Sequence, residues 1–238
     1  MKNTKLTTVL FDLDGTLLPM DQDVFTGGYF KLLAKKLAPH GYEPKSLVDS
    51  IWAGTAAMVE NDGSRTNETA FWDKFSAIYG ERALVDKQLF EEFYNVDFRS
   101  AEQFCGKNPK SAKAVREIKA RGLRVALATN PIFPDTATRT RIGWTGLSPE
   151  EFELYTTYEN SHFCKPNPDY YLEVTRNLGV SPDECLMVGN DVGEDMVAER
   201  LGMRVFLVTD CVINKAGIGI ERYLRGGFDE LLRFVEEL

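Results

Sequence analysis

Five short apolar runs, none alternating with polar residues, constrain this chain more than any other feature. They are TTVLF from Thr7, RVALA at 124–128, LYTT at 154–157, CLMV at 185–188 and RVFLV at 204–208. A strand exposed on one face alternates, whereas a strand covered on both faces reads as a continuous apolar run. Helical spacing recurs between these runs, at 111–120, 135–142, 168–178 and 194–201. Alternation of strand and helix demands right-handed crossovers and a parallel sheet. The expected fold class is therefore α/β, a doubly wound parallel sheet.

Residues 17–108 break the pattern. Helical spacing runs through 24–37, 46–59, 68–79 and 87–98 with no convincing strand, and the segment holds Trp52, Trp72 and most of the phenylalanines. It reads as an inserted helical bundle that buries its aromatics. The α/β core is then 1–16 plus 109–238, a usual domain size. Lys31, Lys35 and Lys36 fall on the solvated face of the first inserted helix.

Composition excludes several classes. Twenty-eight Lys and Arg against 36 Asp and Glu leave a net charge of −8, which repels a polyanion, so nucleic acid is not expected as a partner. No apolar stretch approaches the roughly 20 residues of a membrane span, and none at the start has the form of a secretory signal. The four cysteines are widely spaced without a C-x-x-C pair, which points away from a disulfide framework or structural zinc and toward a reducing cytoplasm. Asn67-Glu68-Thr69 matches a glycosylation sequon and is read as incidental. The sequence leaves the oligomeric state open.

The chemistry concentrates just past the strands. Asp12-Leu13-Asp14-Gly15-Thr16 follows the first run, and ligands of open α/β sheets bind beyond the carboxyl ends of strands. Continued strand alternation sends Asp12 and Asp14 to one side, where their mutual repulsion calls for a cation or a proton. One carboxylate can attack phosphorus and a second, protonated, can protonate the leaving oxygen. The competing reading is an Asp-Gly turn capped by Asp14.

A second acidic loop, Gly189-Asn190-Asp191-Val192-Gly193-Glu194-Asp195, follows the fourth run. Asp191 and Asp195 share a face if a helix begins there, and oxygen-only ligands suit Mg²⁺. Alternatively Asp191 caps that helix while Glu194 and Asp195 complement its dipole. Thr129-Asn130 at the end of the second run could bind phosphate oxygens, and Lys165 could balance the carboxylates. His40 reads as a helix-end residue and His162 as loop-exposed. Arg139 and Arg141 read as a solvated helix end. Gly217-Ile218-Gly219 lacks a third glycine and no P-loop occurs, so ATP binding is not implied.

Taken in order and spacing, DLDGT, Thr129, Lys165 and GNDVGED resemble the four motifs of the haloacid dehalogenase superfamily. The resemblance implies that Asp12 is the nucleophile and Asp14 the general acid and base. It further implies that Thr129, with Asn130, binds phosphate, that Lys165 balances charge and that Asp191 and Asp195 form the acidic pair of a Mg²⁺ site. In this family the ion also touches the first aspartate's carboxylate and the second's backbone carbonyl, here Asp12 and Asp14. The helical insertion resembles the family's first-position cap. Dehalogenases of the superfamily lack the second aspartate, so Asp14 favours phosphoryl transfer to or from a small phosphorylated substrate. The expectation is a Mg²⁺-dependent phosphomonoesterase. A phosphomutase of the beta-phosphoglucomutase type shares these motifs. A receiver-like phospho-acceptor module lacks the acid two residues on, and a binding protein on a decayed enzyme fold would have lost a motif.

Overall fold

The structure is a computed structural model that describes residues 5–237. Five strands, β1 (Thr8–Phe11), β2 (Arg124–Leu127), β3 (Cys185–Gly189), β4 (Arg204–Val208) and β5 (Leu224–Gly226), form one parallel sheet in the order β2-β1-β3-β4-β5. The chain steps to one side of β1 and then returns to its other side, the topology of a doubly wound sheet. Leu10 lies opposite Ala126 and Met187, and Phe11 opposite Leu127 and Val188. This register brings the carboxyl ends of β1, β2 and β3 level.

Both faces of the sheet are covered. Val9 and Phe11 of β1 belong to one buried cluster, with Val115 and Ile118 of a helix at Pro109–Ala120 and Leu231 of a helix at Phe228–Glu236. Leu10 points into the other cluster with Tyr170 and Val174 of the helix Pro168–Leu178. Two-sided burial is why these strands read as unbroken apolar runs. Truncating the fully buried Phe11 to alanine would cost about 3–5 kcal/mol.

The run at 154–157 is not a strand of this sheet. It makes a single parallel bridge, Leu127 with Tyr155. The ladder stops because the Tyr158 amide, its next donor, goes to the Phe133 carbonyl at 3.0 Å, while the Thr129 carbonyl, its next acceptor, takes the Thr156 and Tyr170 hydroxyls at 2.6 and 2.8 Å. β5, at an exposed edge and with one apolar residue, gave no signal. The helix expected at 194–201 is a 3-10 segment over Met196–Leu201, and the one expected at 87–98 ends at Asn95, where a second 3-10 segment, Asp97–Phe104, takes over.

Between β1 and β2 the chain forms helices α1 (Gln22–Leu37), α2 (Pro44–Val59), α3 (Asn67–Tyr79), α4 (Arg82–Val85) and α5 (Lys87–Asn95). Asp21 starts α1 by accepting hydrogen bonds from the Asp23 and Val24 amides, both at 3.0 Å. The two connections to the sheet run side by side, with Met20 bridged to Cys105 and the Gly106 amide on the Pro19 carbonyl at 2.7 Å. Trp72 is buried as expected, whereas Trp52 on α2 is 52% exposed, contrary to the expectation that the bundle hides its aromatics.

The helices rest against the loops of the sheet. Asn67, without exposure, sends its amide to the Pro131 and Phe163 carbonyls, each at 3.3 Å, and its backbone N–H to the Ser161 carbonyl at 2.8 Å. A side chain so placed cannot carry a glycan, in agreement with the reading of that sequon as incidental. Among the described residues no helix is long and apolar enough to cross a membrane.

Candidate active site

The β1 backbone ladder continues one residue past the strand, with the Asp12 amide bonded to the Val188 carbonyl at 2.9 Å, and the chain then turns sharply. Gly15 makes the turn possible. Its φ is +84°, and a Cβ there would lie 2.3 Å from the Asn190 amide nitrogen. The turn returns Thr16 to the strand end, where its hydroxyl reaches Asp12 Oδ2 at 3.1 Å and Asn190 Oδ1 at 2.9 Å.

Lys165 lies beneath, 1% exposed, with Nζ 2.8 Å from Asp12 Oδ1 and 2.6 Å from Asp195 Oδ1. Burial works against an ammonium here, but Asp12 and Asp195 outweigh it and hold the lysine above its ordinary pKa. Burial pushes Asp195 upward while Lys165 pulls it down. Asp195 fits only because Gly189 has no side chain, since a Cβ there would sit 2.1 Å from Asp195 Oδ2.

Asp14 has a different partner. After α6 (Pro109–Ala120) and β2 comes α7 (Asp135–Trp144), whose Arg141 is fully buried and pairs with Asp14 Oδ2. Its guanidinium also stacks on the Phe133 ring, 4.3 Å from the centroid. The sequence reading of Arg141 as a solvated helix end is thus corrected. Its face of α7 carries the buried Ala137, Thr138 and Ile142, and an arginine is tolerated there because Asp14, remote in sequence, compensates its charge. Burial raises the Asp14 carboxyl above its usual range, with Arg141 opposing. Asp14 Oδ1 is buried and lacks a hydrogen-bond partner among the described residues.

Asp12, Asp14, Thr129, Asn130, Asp191 and Asp195 line one cleft of about 280 Å³. Thr129 is 2% exposed, and its hydroxyl has no hydrogen-bond partner among the described residues. Asn130 is partly committed, donating to Glu194 Oε2 at 3.1 Å and accepting from the Lys165 amide at 3.2 Å. Asp191 caps its own loop through Oδ1, which accepts from the Gly193 and Glu194 amides at 2.7 and 3.0 Å. Its Oδ2 takes no bond from the described residues. Glu194, which the sequence suggested only as a dipole complement, also lines the cleft, and burial pushes it up to about 7. His40 is exposed at a helix end, and His162 pairs with Glu173 at 2.6 Å, so neither joins the site.

Five carboxylates therefore share a cleft whose buried cations are Lys165 and Arg141. The donors are all oxygens, as a hard cation requires. Among the described residues no group of three or more His, Cys, Asp or Glu side chains is arranged to hold a metal ion. Mg²⁺ takes one or two carboxylates and keeps waters and phosphate for its other positions. The backbone carbonyl of Asp14 accepts no hydrogen bond from the described residues, so it too could serve as a ligand.

A family model described as haloacid dehalogenase-like hydrolase matches residues 6–202. The "Putative phosphatase YhcW" of Bacillus subtilis strain 168 is 30% identical over 217 residues, covering 87% of this chain and 85% of that protein. The glyceraldehyde 3-phosphate phosphatase of Methanothermobacter thermautotrophicus is 26% identical over 209 residues, covering 85% of each. Among solved structures, a 2-haloacid dehalogenase from Pseudomonas syringae pv. Tomato has the same fold at 20% identity, with a TM-score of 0.65 over 98% of this chain and 99% of that one.

Proposed function

Since this chain belongs to the haloacid dehalogenase-like hydrolases, we propose that it is a Mg²⁺-dependent phosphomonoesterase that cleaves a small phosphorylated metabolite through a phospho-Asp12 intermediate. One observation carries the reading: two aspartates at the end of one strand are held by different partners, Asp12 by Lys165 and Thr16, Asp14 by Arg141. Environments that separate two carboxylates in this way separate their roles. Asp14 also argues against dehalogenation, where the halide leaves without a proton.

In the first step an Asp12 carboxylate oxygen forms a bond to phosphorus while the bond to the ester oxygen breaks. That oxygen takes a proton from Asp14. In the second, water attacks the same phosphorus, its proton passes to Asp14 and the Asp12–phosphorus bond breaks, which releases phosphate and regenerates the enzyme. Lys165 fixes one Asp12 carboxylate oxygen through its ion pair and leaves the other to attack. The Thr129 hydroxyl and the Asn130 loop contact the phosphoryl oxygens, and fixed donors of this kind supply much of the rate. Asp12, the Asp14 carbonyl and Asp191, with Asp195 behind them, would hold Mg²⁺, which would neutralise phosphate charge. Residues 17–108 act as a cap over the cleft, hinged where Met20 and Cys105 run together.

Hydrolysis of p-nitrophenyl phosphate tests the reading. Turnover that needs Mg²⁺ and disappears in a folded Asp12→Asn variant supports it, and full turnover in excess EDTA rejects it.

A further inference from the structure

Beside the catalytic cleft lies a second cavity, of about 80 Å³, lined by α1, α2, α3, α5 and the loops after β2. Nine of its fourteen lining residues are aromatic and none is charged. The two spaces adjoin at Thr26, Trp52, Thr55, Ile132 and Phe133, which line both.

Most of the polar side chains in this wall are bonded to one another or to the backbone. The Tyr29 and Tyr94 hydroxyls bond each other at 2.8 Å, Tyr158 accepts from Trp72 Nε1 at 3.4 Å, and Thr55 donates to the Ile51 carbonyl at 2.9 Å. Thr26, at the neck, has a hydroxyl without a partner among the described residues. Nothing in the wall calls for a carboxylate or for the many hydroxyls of a sugar, each of which would be desolvated without a partner there. The half-exposed Trp52, set edge-to-face on Phe30 at 5.5 Å, stands at the neck with an open ring surface. An aromatic guest would cover it.

We infer that this chamber holds the leaving group, and that the substrate is a phosphomonoester of an aromatic or heteroaromatic alcohol rather than of a sugar, a glycerol or a hydroxy acid. The inference rests on the phosphatase reading of the adjoining cleft. The phosphate lies at Asp12, the ester oxygen meets Asp14, and the ring passes the neck at Thr26 and Trp52 into the chamber.

The test compares esters whose leaving alcohols have similar intrinsic reactivity, 2-naphthylmethyl phosphate and ethyl phosphate, with acetyl phosphate as a control for the chemistry. With Mg²⁺ present, kcat/KM for the naphthylmethyl ester is expected to exceed that for the ethyl ester at least about tenfold. Trp52→Ala is expected to collapse this ratio toward one. Should that variant fail to fold, binding of 2-naphthylmethanol to the wild-type protein, read as quenching of tryptophan fluorescence and as competitive inhibition of acetyl phosphate turnover, replaces it. Turnover of acetyl phosphate with equal kcat/KM for the two esters would overturn the inference and leave the phosphatase reading standing. Absence of turnover with all three would overturn the phosphatase reading itself.

Discussion

Arg141 and Asp14, 127 positions apart in the chain, form an ion pair in which the arginine has no solvent exposure and the second carboxylate oxygen of Asp14 is buried without a partner among the described residues. One oxygen is thereby fixed, and in the proposed reaction the other meets the ester oxygen or the attacking water. Arg141 is a positioning residue in this account, because it acts through Asp14. Arg141→Met is expected to lower kcat about 10- to 100-fold with little change in KM, since general acid–base catalysis contributes roughly 10²–10⁴ and the substrate does not touch the guanidinium. Steady-state kinetics of the folded variant checks this. An unchanged kcat, or a loss confined to KM, contradicts it.

Lys165 sits between two buried carboxylates, so its removal leaves their charge uncompensated. Lys165→Met is expected to destabilise the protein by about 3–5 kcal/mol. Adding Asp195→Asn to that variant removes one of the stranded charges and is expected to recover part of the loss. Urea denaturation of the two singles and the double gives the coupling, and additive losses would contradict the pairing.

Asn67 ties the start of α3 to the loops that carry Pro131 and Phe163. Asn67→Ala leaves those carbonyls without their donor and is expected to cost about 1–3 kcal/mol. Thermal denaturation reads the loss. A variant as stable as the wild type would mean that the helices are held to the sheet without this contact.

Activity is expected to vanish in EDTA, to return with Mg²⁺ and to be inhibited by Ca²⁺, which accepts more oxygens at longer distances and would seat Asp12 in a poor attack geometry. Metal titration against p-nitrophenyl phosphate checks this, and equal support by the two ions contradicts it.

The legible parts were those set by local pattern. Strand periodicity and the Gly15 turn placed Asp12 and Asp14 in one cleft, and the repeated apolar runs announced a sheet covered on both faces. Arg141 was illegible because its partner is remote and a lone arginine in RTR looks solvated. Trp52 was misjudged because helical spacing shows which residues share a face but not what that face meets. The run at 154–157 has strand-like residues, yet diversion of the Tyr158 amide to the Phe133 carbonyl cuts its ladder short. β5 has too little apolar content to announce itself, and Glu194 entered the site through burial that no local rule predicts.

Phosphorylation of Asp12 is the central claim, and the Asp14→Asn variant with p-nitrophenyl phosphate exposes it most directly. p-Nitrophenolate departs without needing a proton, so the first step survives, whereas the water of the second step loses its base. Rapid-quench measurements in Mg²⁺ are predicted to show a burst of p-nitrophenolate stoichiometric with enzyme, a slow steady state, and a phosphoryl group on the peptide that contains Asp12. Equal slowing of both steps, or steady turnover with no phosphoryl group recovered on that peptide, would contradict the account.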